Sequence, residues 1–530
     1  MYLCAEMKTQ KCVWWLMAIS LLVRGTAAAL LELGVDEAYY WTYPLFPDLS
    51  YFDHPPLLSY LLSVFTLRLR FDGAFGLRLV SLVLGTVNTW LMYRVGTQLK
   101  NERTGLYAAL LYTASVYGSV MVGTFILPDT PLSTCYLLAF LFLLRALGAN
   151  ANGQANPNAF LWTGLFIGLA MCSKYSGVFL WVGIALFVLL FQRRTLRTPQ
   201  LWLGILVSLV TFSPVLIWNA QHGFISFLYH TNRVGIFQSG FHPFYLAREL
   251  GGELFYNNPV NFVLIIWALF SFLPFARKSG QPYLPRPTFR LFLCLSLPLW
   301  GYFLFIALFR ETLPHWTAPS FYPLLFLVAV ALDSRALPKV STYVPNVLKA
   351  ALGFIILVFV GGVLEIKTGV IPMGTASSRD PQSPQLGRYD FTLDMYGWKQ
   401  AGATFGHLCD SLEQAGKMPK DAPILTDRWF HAAQYDYYLA RPNHKIVKTE
   451  GPLYQVGGYE RITALRGGVI PSQPHYVIYS SRYPTETQKK DIEVLHTFYV
   501  YRCQKPVIRY TVCKYIPGAG TASLQRDGSS

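Results

Sequence analysis

Long apolar runs separated by short polar loops dominate residues 1–371, and a mixed polar pattern follows over residues 372–530. A helix that crosses a membrane needs about 20 predominantly apolar residues. By that measure the sequence predicts about eleven to thirteen transmembrane helices. The eleven clearest runs lie near 12–31, 75–99, 104–126, 131–148, 159–173, 175–191, 200–219, 259–276, 290–309, 316–333 and 347–366. We therefore predict a polytopic α-helical membrane domain over 1–371 and an extramembrane domain over 372–530.

The pattern changes from helical to mixed after residue 371. A turn-rich stretch over 372–385 is typical of a linker. A helix is then predicted to end before Gly416. Strand-like runs lie at 422–426, 477–480 and 497–501, with a helical segment at 428–439. This alternation predicts a small α/β domain.

Composition and charge agree with a membrane protein. The chain is 53% hydrophobic and 14% charged, whereas soluble domains are about a quarter charged. Its net charge of +16 does not indicate nucleic acid, because basic residues fall in alternate loops, as in the positive-inside rule. With a cytoplasmic N-terminus, those loops carry Lys100, Arg103, Arg193, Arg194, Arg197, Arg277, Lys278, Arg286, Arg335 and Lys339. This topology places the first loop, 34–74, and the 372–530 domain on the outer, periplasmic side.

The eight cysteines show no spacing typical of a metal site. Cys503 and Cys513 fall in the outer domain, where they could bridge two strands or remain buried thiols. The sequence leaves both possibilities open.

The same topology gathers the unusual polar groups on the outer side. Ionisable residues at a membrane boundary indicate a functional site. The first loop also contains an apolar run over 55–69 that is too short to span and is typical of an interfacial helix. The polar groups are Asp36, Glu37, His54, Asp129, Lys174, Arg233, Arg310 and His315.

These groups suit transfer of a group from a phosphate-linked carrier to a hydroxyl. A hydroxyl nucleophile needs a base, which Asp36 or Glu37 could supply, and a leaving phosphate needs positive charge. Simpler interpretations stay open. The acids could be a solvated helix end, Asp129 a helix N-cap, and Lys174 a snorkelling side chain.

Two further points stay open from the residues alone. The cluster Tyr39, Tyr40 and Trp41 could stack on a sugar or form an interfacial aromatic belt. A divalent metal bridging a carboxylate and phosphate is possible, although no ligand cluster of diagnostic spacing supports it.

Several motifs together resemble the polyprenyl-phosphate-sugar-dependent glycosyltransferases of the GT-C superfamily, in the bacterial branch related to protein O-mannosyltransferases and lipid A aminoarabinose transferase. The motifs are ELGVDEAYYW, YFDHPPLL, LPDTPL, SKYSG, LPHWTAPSFYPL, LDMYGW and DRWFHAAQYDYYL. The resemblance implies that Asp36 is the catalytic base, that Asp129 is its frequent partner, and that the anomeric carbon is inverted.

The chain departs from the aminoarabinose transferase pattern at two phosphate-binding positions. Tyr39 replaces an arginine three residues after the catalytic acid, and His54 replaces a lysine before the paired prolines. Phosphate binding is therefore expected to shift to Lys174, Arg233, Arg310 or His315, with His54 as a further ligand.

The sequence thus predicts an integral membrane glycosyltransferase. We expect it to move a monosaccharide from a polyprenyl-phosphate carrier to a lipid, glycan or protein acceptor on the periplasmic face of a bacterial inner membrane. Its expected partners are this donor, the acceptor and membrane lipids, without nucleic acid. A transporter or flippase for a lipid-linked sugar is the alternative, and a catalytically inactive sensor or scaffold is a third. The absence of recognisable inverted repeats favours the enzyme over the transporter.

Overall fold

The structure is a computed structural model that describes residues 2–151, 153–235, 240–273, 283–335, 342–483 and 492–517. The predicted cytoplasmic residues Arg277, Lys278 and Lys339 lie outside the described residues. The chain divides into two compact units. The helical unit comprises Met1–Ala29 and Asp48–Phe359, and the sheet unit comprises Leu30–Pro47 and Val360–Ser530.

The first twelve helices in chain order are α1 (Tyr2–Leu30), α2 (Val35–Tyr40), α3 (Thr42–Leu45), α4 (Leu57–Phe65), α5 (Ala74–Leu99), α6 (Glu102–Ala114), α7 (Asp129–Ala146), α8 (Ala159–Met171), α9 (Phe179–Phe191), α10 (Pro199–Gln221), α11 (Ile225–Val234) and α12 (Pro243–Tyr256). They are followed by α13 (Pro259–Ser271), α14 (Arg286–Ile306), α15 (Phe321–Arg335), α16 (Asn346–Thr368), α17 (Trp398–Gln414), α18 (Trp429–Gln434), α19 (Leu453–Val456) and α20 (Tyr459–Leu465). The strands are β1 (Ile424–Thr426), β2 (Val447–Thr449), β3 (His475–Ser480), β4 (Ile492–Arg502) and β5 (Lys505–Tyr515).

Within the described ranges, five helices are long and apolar enough to cross a membrane: Lys8–Leu30, Ala74–Leu99, Pro199–Gln221, Arg286–Ile306 and Asn346–Thr368. The pair α12 and α13 is bent by 100° and would make a sixth span if counted as one. The other five predicted spans correspond to helices of 13 to 18 residues, namely α6, α7, α8, α9 and α15. The multi-pass helical class is therefore confirmed, whereas the number of crossings stays a prediction.

Buried arginines connect the first helix of the helical unit to its neighbours. The Arg24 guanidinium donates to the carbonyl of Gly123 at 3.2 Å and to Thr86 Oγ1 at 2.8 Å. A Cβ atom at Gly85 would lie 2.3 Å from Arg24 Nη1, so the glycine makes room for the charged group. Arg78 donates to the carbonyl of Ala28 at 2.9 Å. These bonds satisfy polar groups that would otherwise be buried at high cost.

Small residues let α8 and α10 approach closely. A Cβ at Gly164 would lie 1.9 Å from the carbonyl oxygen of Gly204, and one at Gly204 would lie 2.4 Å from that of Phe160. Close backbone approach through glycine is typical of helix pairs in membranes, where packing replaces the hydrophobic effect.

The sheet unit contains a five-stranded sheet in the order β2-β1-β3-β5-β4. β1 pairs in parallel with β2 and β3, whereas β5 pairs antiparallel with β3 and β4. The predicted strand-like runs fall on β1, β3 and β4, and the predicted helix falls on α17. The segment Leu30–Pro47 packs with this unit. This association joins segments more than 300 residues apart in the chain. A domain boundary drawn from composition at residue 371 therefore does not reveal it.

Cys503 and Cys513 do not form a disulfide bridge; both are free thiols. Cys503 lies with Gln504 in the turn between β4 and β5, where both residues have positive φ. Cys513 is buried within β5, opposite Val494. A strand rises about 3.3 Å per residue, so the thiols are too far apart for the roughly 7 Å Cα separation that a disulfide allows.

We expect Gly164→Ala to destabilise the protein by about 1–3 kcal/mol, because the added methyl group overpacks the contact between α8 and α10. Gly353→Ala is the matched control, since a Cβ at this α16 glycine meets no atom within 4 Å. Thermal unfolding of the detergent-purified variants measures both. Equal unfolding temperatures for the two variants would contradict the close approach.

Candidate functional site

A buried ion pair lies at the centre of the polar residues of the helical unit. Lys174 Nζ lies 2.9 Å from Oδ2 and 3.0 Å from Oδ1 of Asp129. Asp129 is the first residue of α7 and is 2% exposed. Lys174 has extended backbone just before the short helix Tyr175–Val178, and so interrupts the path from α8 to α9. The ion pair replaces the two simpler interpretations, in which Asp129 was a helix N-cap and Lys174 a snorkelling side chain. Asp129 caps no helix, and Lys174 points to a carboxylate.

A tyrosine that the sequence analysis missed completes the shell around Asp129. The Tyr117 hydroxyl donates to Asp129 Oδ1 at 2.9 Å. Tyr117 begins a π-helical turn, Tyr117–Met121, after α6. Such turns are rare and frequent at functional sites. The only sequence signal was a hydroxyl-bearing aromatic within an apolar run.

Basic side chains surround this ion pair. The rings of His54 and His230 lie 6.2 Å apart, and the Arg233 guanidinium lies 4.7 Å from the centre of the Trp316 ring. His54 interacts electrostatically with the other four basic residues of the group. We call His54, Lys174, His230, Arg233 and His315 the basic cluster.

The histidines of the basic cluster are disfavoured as cations. Burial lowers the pKa of His315 to about 4; the charges of Lys174 and Arg233 reinforce the shift, and Asp129 opposes it. Burial, together with the nearby basic groups, also holds the pKa of His54 well below its ordinary value. His230 shifts in the same direction, mainly through burial, while its Nε2 hydrogen bonds with the carbonyl of Asp53 at 2.8 Å. Near neutral pH the cluster therefore carries less positive charge than its five basic residues would suggest.

Helix α12 holds the turn that carries His315. Thr312 donates to Glu249 at 2.7 Å, and the Trp300 indole N–H lies 3.0 Å from both oxygens of Glu253. Both glutamates are at most 1% exposed. Between them, Gly252 packs so closely that a Cβ there would lie 2.1 Å from Pro314 Cγ. Neither glutamate was predicted, because the partners of Glu253 and Glu249 lie 47 and 63 residues further along the chain.

Arg310 is not brought to the basic cluster by any described contact. Its Nε donates to the carbonyl of Gly235 at 2.8 Å, and this bond ties the end of α11 to the segment after α14. The structure therefore supports a structural role for Arg310, which was predicted to bind phosphate, in joining these two segments.

In the sheet unit, the predicted acidic pair has two different environments. Glu37 is 2% exposed and accepts the backbone N–H of Gly34 at 3.0 Å, so it caps its own helix. Asp36 is exposed. Asp394, which the sequence analysis did not select, accepts the backbone N–H of Val35 at 3.2 Å. Because Glu37 is used by the fold, Asp36 is the acid that remains accessible.

The aromatic residues after this pair pack the interior of the sheet unit. Tyr39, Tyr40 and Trp41 are each at most 5% exposed. The Tyr39 ring lies 5.3 Å from that of Trp429, and the Trp41 ring 5.2 Å from that of Tyr437. Rings buried in this way offer no open face to a sugar. The predicted substrate-binding role is therefore not retained for these three residues.

No group of three or more His, Cys, Asp or Glu side chains in the described ranges is placed to hold a metal ion. Both oxygens of Asp129 face Lys174, and one also accepts from Tyr117. A cation would compete with these donors, so the residues present do not fit a metal at this carboxylate.

Comparisons with known proteins place the fold. A family model described as dolichyl-phosphate-mannose-protein mannosyltransferase matches residues 53–218. The crystal structure of ArnT from Cupriavidus metallidurans bound to undecaprenyl phosphate matches with a TM-score of 0.62 and 16% identity, over 94% of this chain and 98% of that one. Its apo form matches with a TM-score of 0.59 and 15% identity over the same shares.

A curated relative matches a smaller part of the chain. The lipid A galacturonosyltransferase RgtD of Rhizobium johnstonii is 23% identical over 191 residues, or 36% of this chain. The match spans 39% of that relative's own length. Together with the fold, these similarities confirm the resemblance to the GT-C glycosyltransferases.

The lowered pKa of His315 predicts a pH-dependent stability. An unfolded histidine has a pKa near 6.5, so the unfolded state binds the proton more readily. The stabilisation is present above about pH 6.5 and is lost as the pH falls towards 4. We expect His315→Gln to flatten the fall in unfolding temperature between pH 7 and 4.5. His242→Gln, at an exposed histidine of the same unit, should leave it unchanged. An unaltered slope for His315→Gln would contradict the burial of this ring.

Glu253 anchors α12 to α14 through Trp300, and the neighbouring Gly252 packs on Pro314, so we expect Glu253→Ala to loosen the His315 turn. Leaving the buried Trp300 donor without its acceptor costs about 1–3 kcal/mol. Thermal unfolding measures the loss, and carbethoxylation of His315 followed by mass spectrometry measures its accessibility, which should rise. Glu311→Ala removes an exposed acid of the same turn, whose ion pair with Arg248 lies at the surface, and should change little. Equal behaviour of the two variants would rule out the holding role of Glu253.

Proposed function

We propose that this chain is an integral membrane glycosyltransferase that inverts the anomeric carbon of the transferred sugar. It moves a monosaccharide from a polyprenyl-phosphate carrier to a lipid, glycan or protein acceptor. The observation that carries the proposal is the basic cluster around the Asp129–Lys174 pair, in a unit whose helices are apolar enough to cross a membrane. A lipid-borne phosphate is the ligand whose chemistry fits both features.

The basic cluster is assigned to the phosphate of the donor. Lys174, Arg233, His54 and His315 supply donors that can form charge-assisted bonds to phosphate oxygens. A phosphate favours the protonated form of a nearby histidine, so His54 and His315 become better ligands when the anion arrives. Positive charge at this position stabilises the polyprenyl phosphate as it leaves.

Asp129 acts in this scheme through Lys174. The carboxylate holds the ammonium group in place with the help of Tyr117. Without a partner, a buried ammonium group would be strongly disfavoured. When a phosphate takes part of this charge, Lys174 bridges the two anions. Asp129 is therefore a positioning residue, and Glu37 is removed from the catalytic set because it caps α2.

Asp36 is assigned as the base. Its carboxylate takes the proton of the acceptor hydroxyl, and the hydroxyl oxygen forms the new bond to the anomeric carbon. The bond from that carbon to the phosphate oxygen breaks, and the electron pair leaves with the polyprenyl phosphate. Attack opposite the leaving group inverts the configuration. The assignment rests on the family resemblance and on the exposure of Asp36.

The relatives favour this function over a transporter. ArnT was crystallised with undecaprenyl phosphate, and RgtD is described as a lipid A galacturonosyltransferase. The first supports a polyprenyl-phosphate carrier, and the second makes a lipid acceptor the first to test. We further propose a bacterial inner-membrane location, an outward-facing site, and eleven to thirteen crossings that include the shorter helices.

Mass spectrometry of envelope lipids and glycoproteins from a deletion strain tests the proposal. Restoring the gene should restore a mass increment equal to one sugar residue. Asp36→Asn should reduce that increment by about 10²-fold or more, because general base catalysis is typically worth 10²–10⁴, with normal thermal stability. Glu37→Ala should instead unfold earlier and keep its activity per folded molecule. Full restoration by Asp36→Asn would remove this residue as the base. Loss of export of the carrier without any missing sugar would favour the transporter.

A further inference from the structure

An apolar groove of about 450 Å³ lies on the helical unit, and none of the basic cluster residues lines it. Met171 of α8 and Val178 lie at one end, and Leu196 and Leu201 lie at the other. Between these ends, α9 and α10 form the walls. The groove therefore follows the whole length of α9.

Three arginines lie where the groove ends. Arg193, Arg194 and Arg197 form a short 3-10 helix, Arg193–Arg197, directly after α9, and Leu196 of the same turn lines the groove. Arg193 donates to the carbonyl of Leu189, while Arg194 and Arg197 are exposed and form no ion pair with any residue in the described ranges. Their charge is therefore available to a ligand.

The surrounding sequence offers this charge no acidic partner. No Asp or Glu occurs between Asp129 and Glu249, an interval that contains all of α8, α9 and α10. A further cation, Arg290 of α14, lies 4.7 Å from the ring of Phe191 at the end of α9. In addition, α10 starts at Pro199, just after Arg197, without a side-chain cap. The positive end of its helix dipole therefore adds to the positive charge of the arginines.

We propose that this groove binds an anionic phospholipid. One acyl chain occupies the apolar groove, and the lipid phosphate is held by Arg193, Arg194 and Arg197. Basic pockets between membrane helices are known to hold anionic head groups, and the groove volume is that of a ligand pocket.

The phospholipid site is separate from the proposed donor site. Lys174 precedes α9 and the arginines follow it. Because α9 has 13 residues, its length separates the two groups by about 20 Å at 1.5 Å per residue. The arginines that would hold the lipid phosphate are therefore distinct from the donor phosphate ligands, and the inference does not depend on the proposed catalytic activity.

Native mass spectrometry of the detergent-purified chain tests the proposal with phosphatidylglycerol and phosphatidylcholine of identical acyl chains. We expect selective retention of phosphatidylglycerol. The triple variant Arg193→Gln, Arg194→Gln, Arg197→Gln should lose affinity by about fivefold for each arginine, since a basic residue near an anionic lipid contributes about that factor. Changing Lys399, Lys417 and Lys420 to Gln removes the same charge from exposed positions of the sheet unit, and should preserve binding.

A second pair of variants tests the groove itself. Ala185→Trp fills it from α9, whereas Val182→Trp adds the same ring to an exposed α9 position that does not line it. Only the first should abolish lipid retention. Equal retention of the two lipids, or unchanged binding by the triple arginine variant, would overturn the proposal. Stronger binding of a short polyprenyl phosphate than of phosphatidylglycerol at this groove would also overturn it, because the groove would then belong to the carrier.

Discussion

The buried ion pair of Asp129 and Lys174 is the interaction on which the candidate site depends. Removing two charges from water carries a large desolvation penalty, which the pair offsets only through good geometry and additional hydrogen bonds. The structure supplies both, with two short contacts to the carboxylate and a third donor from Tyr117. Each partner also lies at an irregularity of the helical unit. Asp129 begins α7, Tyr117 begins a π-turn, and Lys174 interrupts the path from α8 to α9.

The ion pair of Asp129 and Lys174 also reduces the net positive charge of the basic cluster. Asp129 neutralises Lys174, and burial keeps His54 and His315 from being charged. The cluster therefore avoids the repulsion of several adjacent cations before a ligand arrives. In the proposed function, the donor phosphate changes this balance, because an anion attracts the lysine and favours protonation of both histidines. In the proposed function, this change lets the basic cluster hold the phosphate of the leaving polyprenyl carrier.

The class of fold and many of the chemical groups are predictable from the sequence, but their partners are not. The apolar runs predicted the longest helices, because a span of about 20 residues is a local property. Asp129, Lys174, His54, His315 and Arg233 were all selected because charged residues are unusual at a membrane boundary. Pairing and burial depend on residues distant in the chain. For this reason the sequence does not reveal Tyr117 or Glu253. It also leaves sugar stacking open for the rings of Tyr39, Tyr40 and Trp41, and a bridge open for two hairpin cysteines.

The most direct test of the account is an experimental structure of the chain in a lipid nanodisc with a bound polyprenyl phosphate. We predict the phosphate within hydrogen-bond distance of Lys174 and His315, with Lys174 still in contact with Asp129. A phosphate bound away from these residues, with Lys174 contacting only Asp129, would contradict the account.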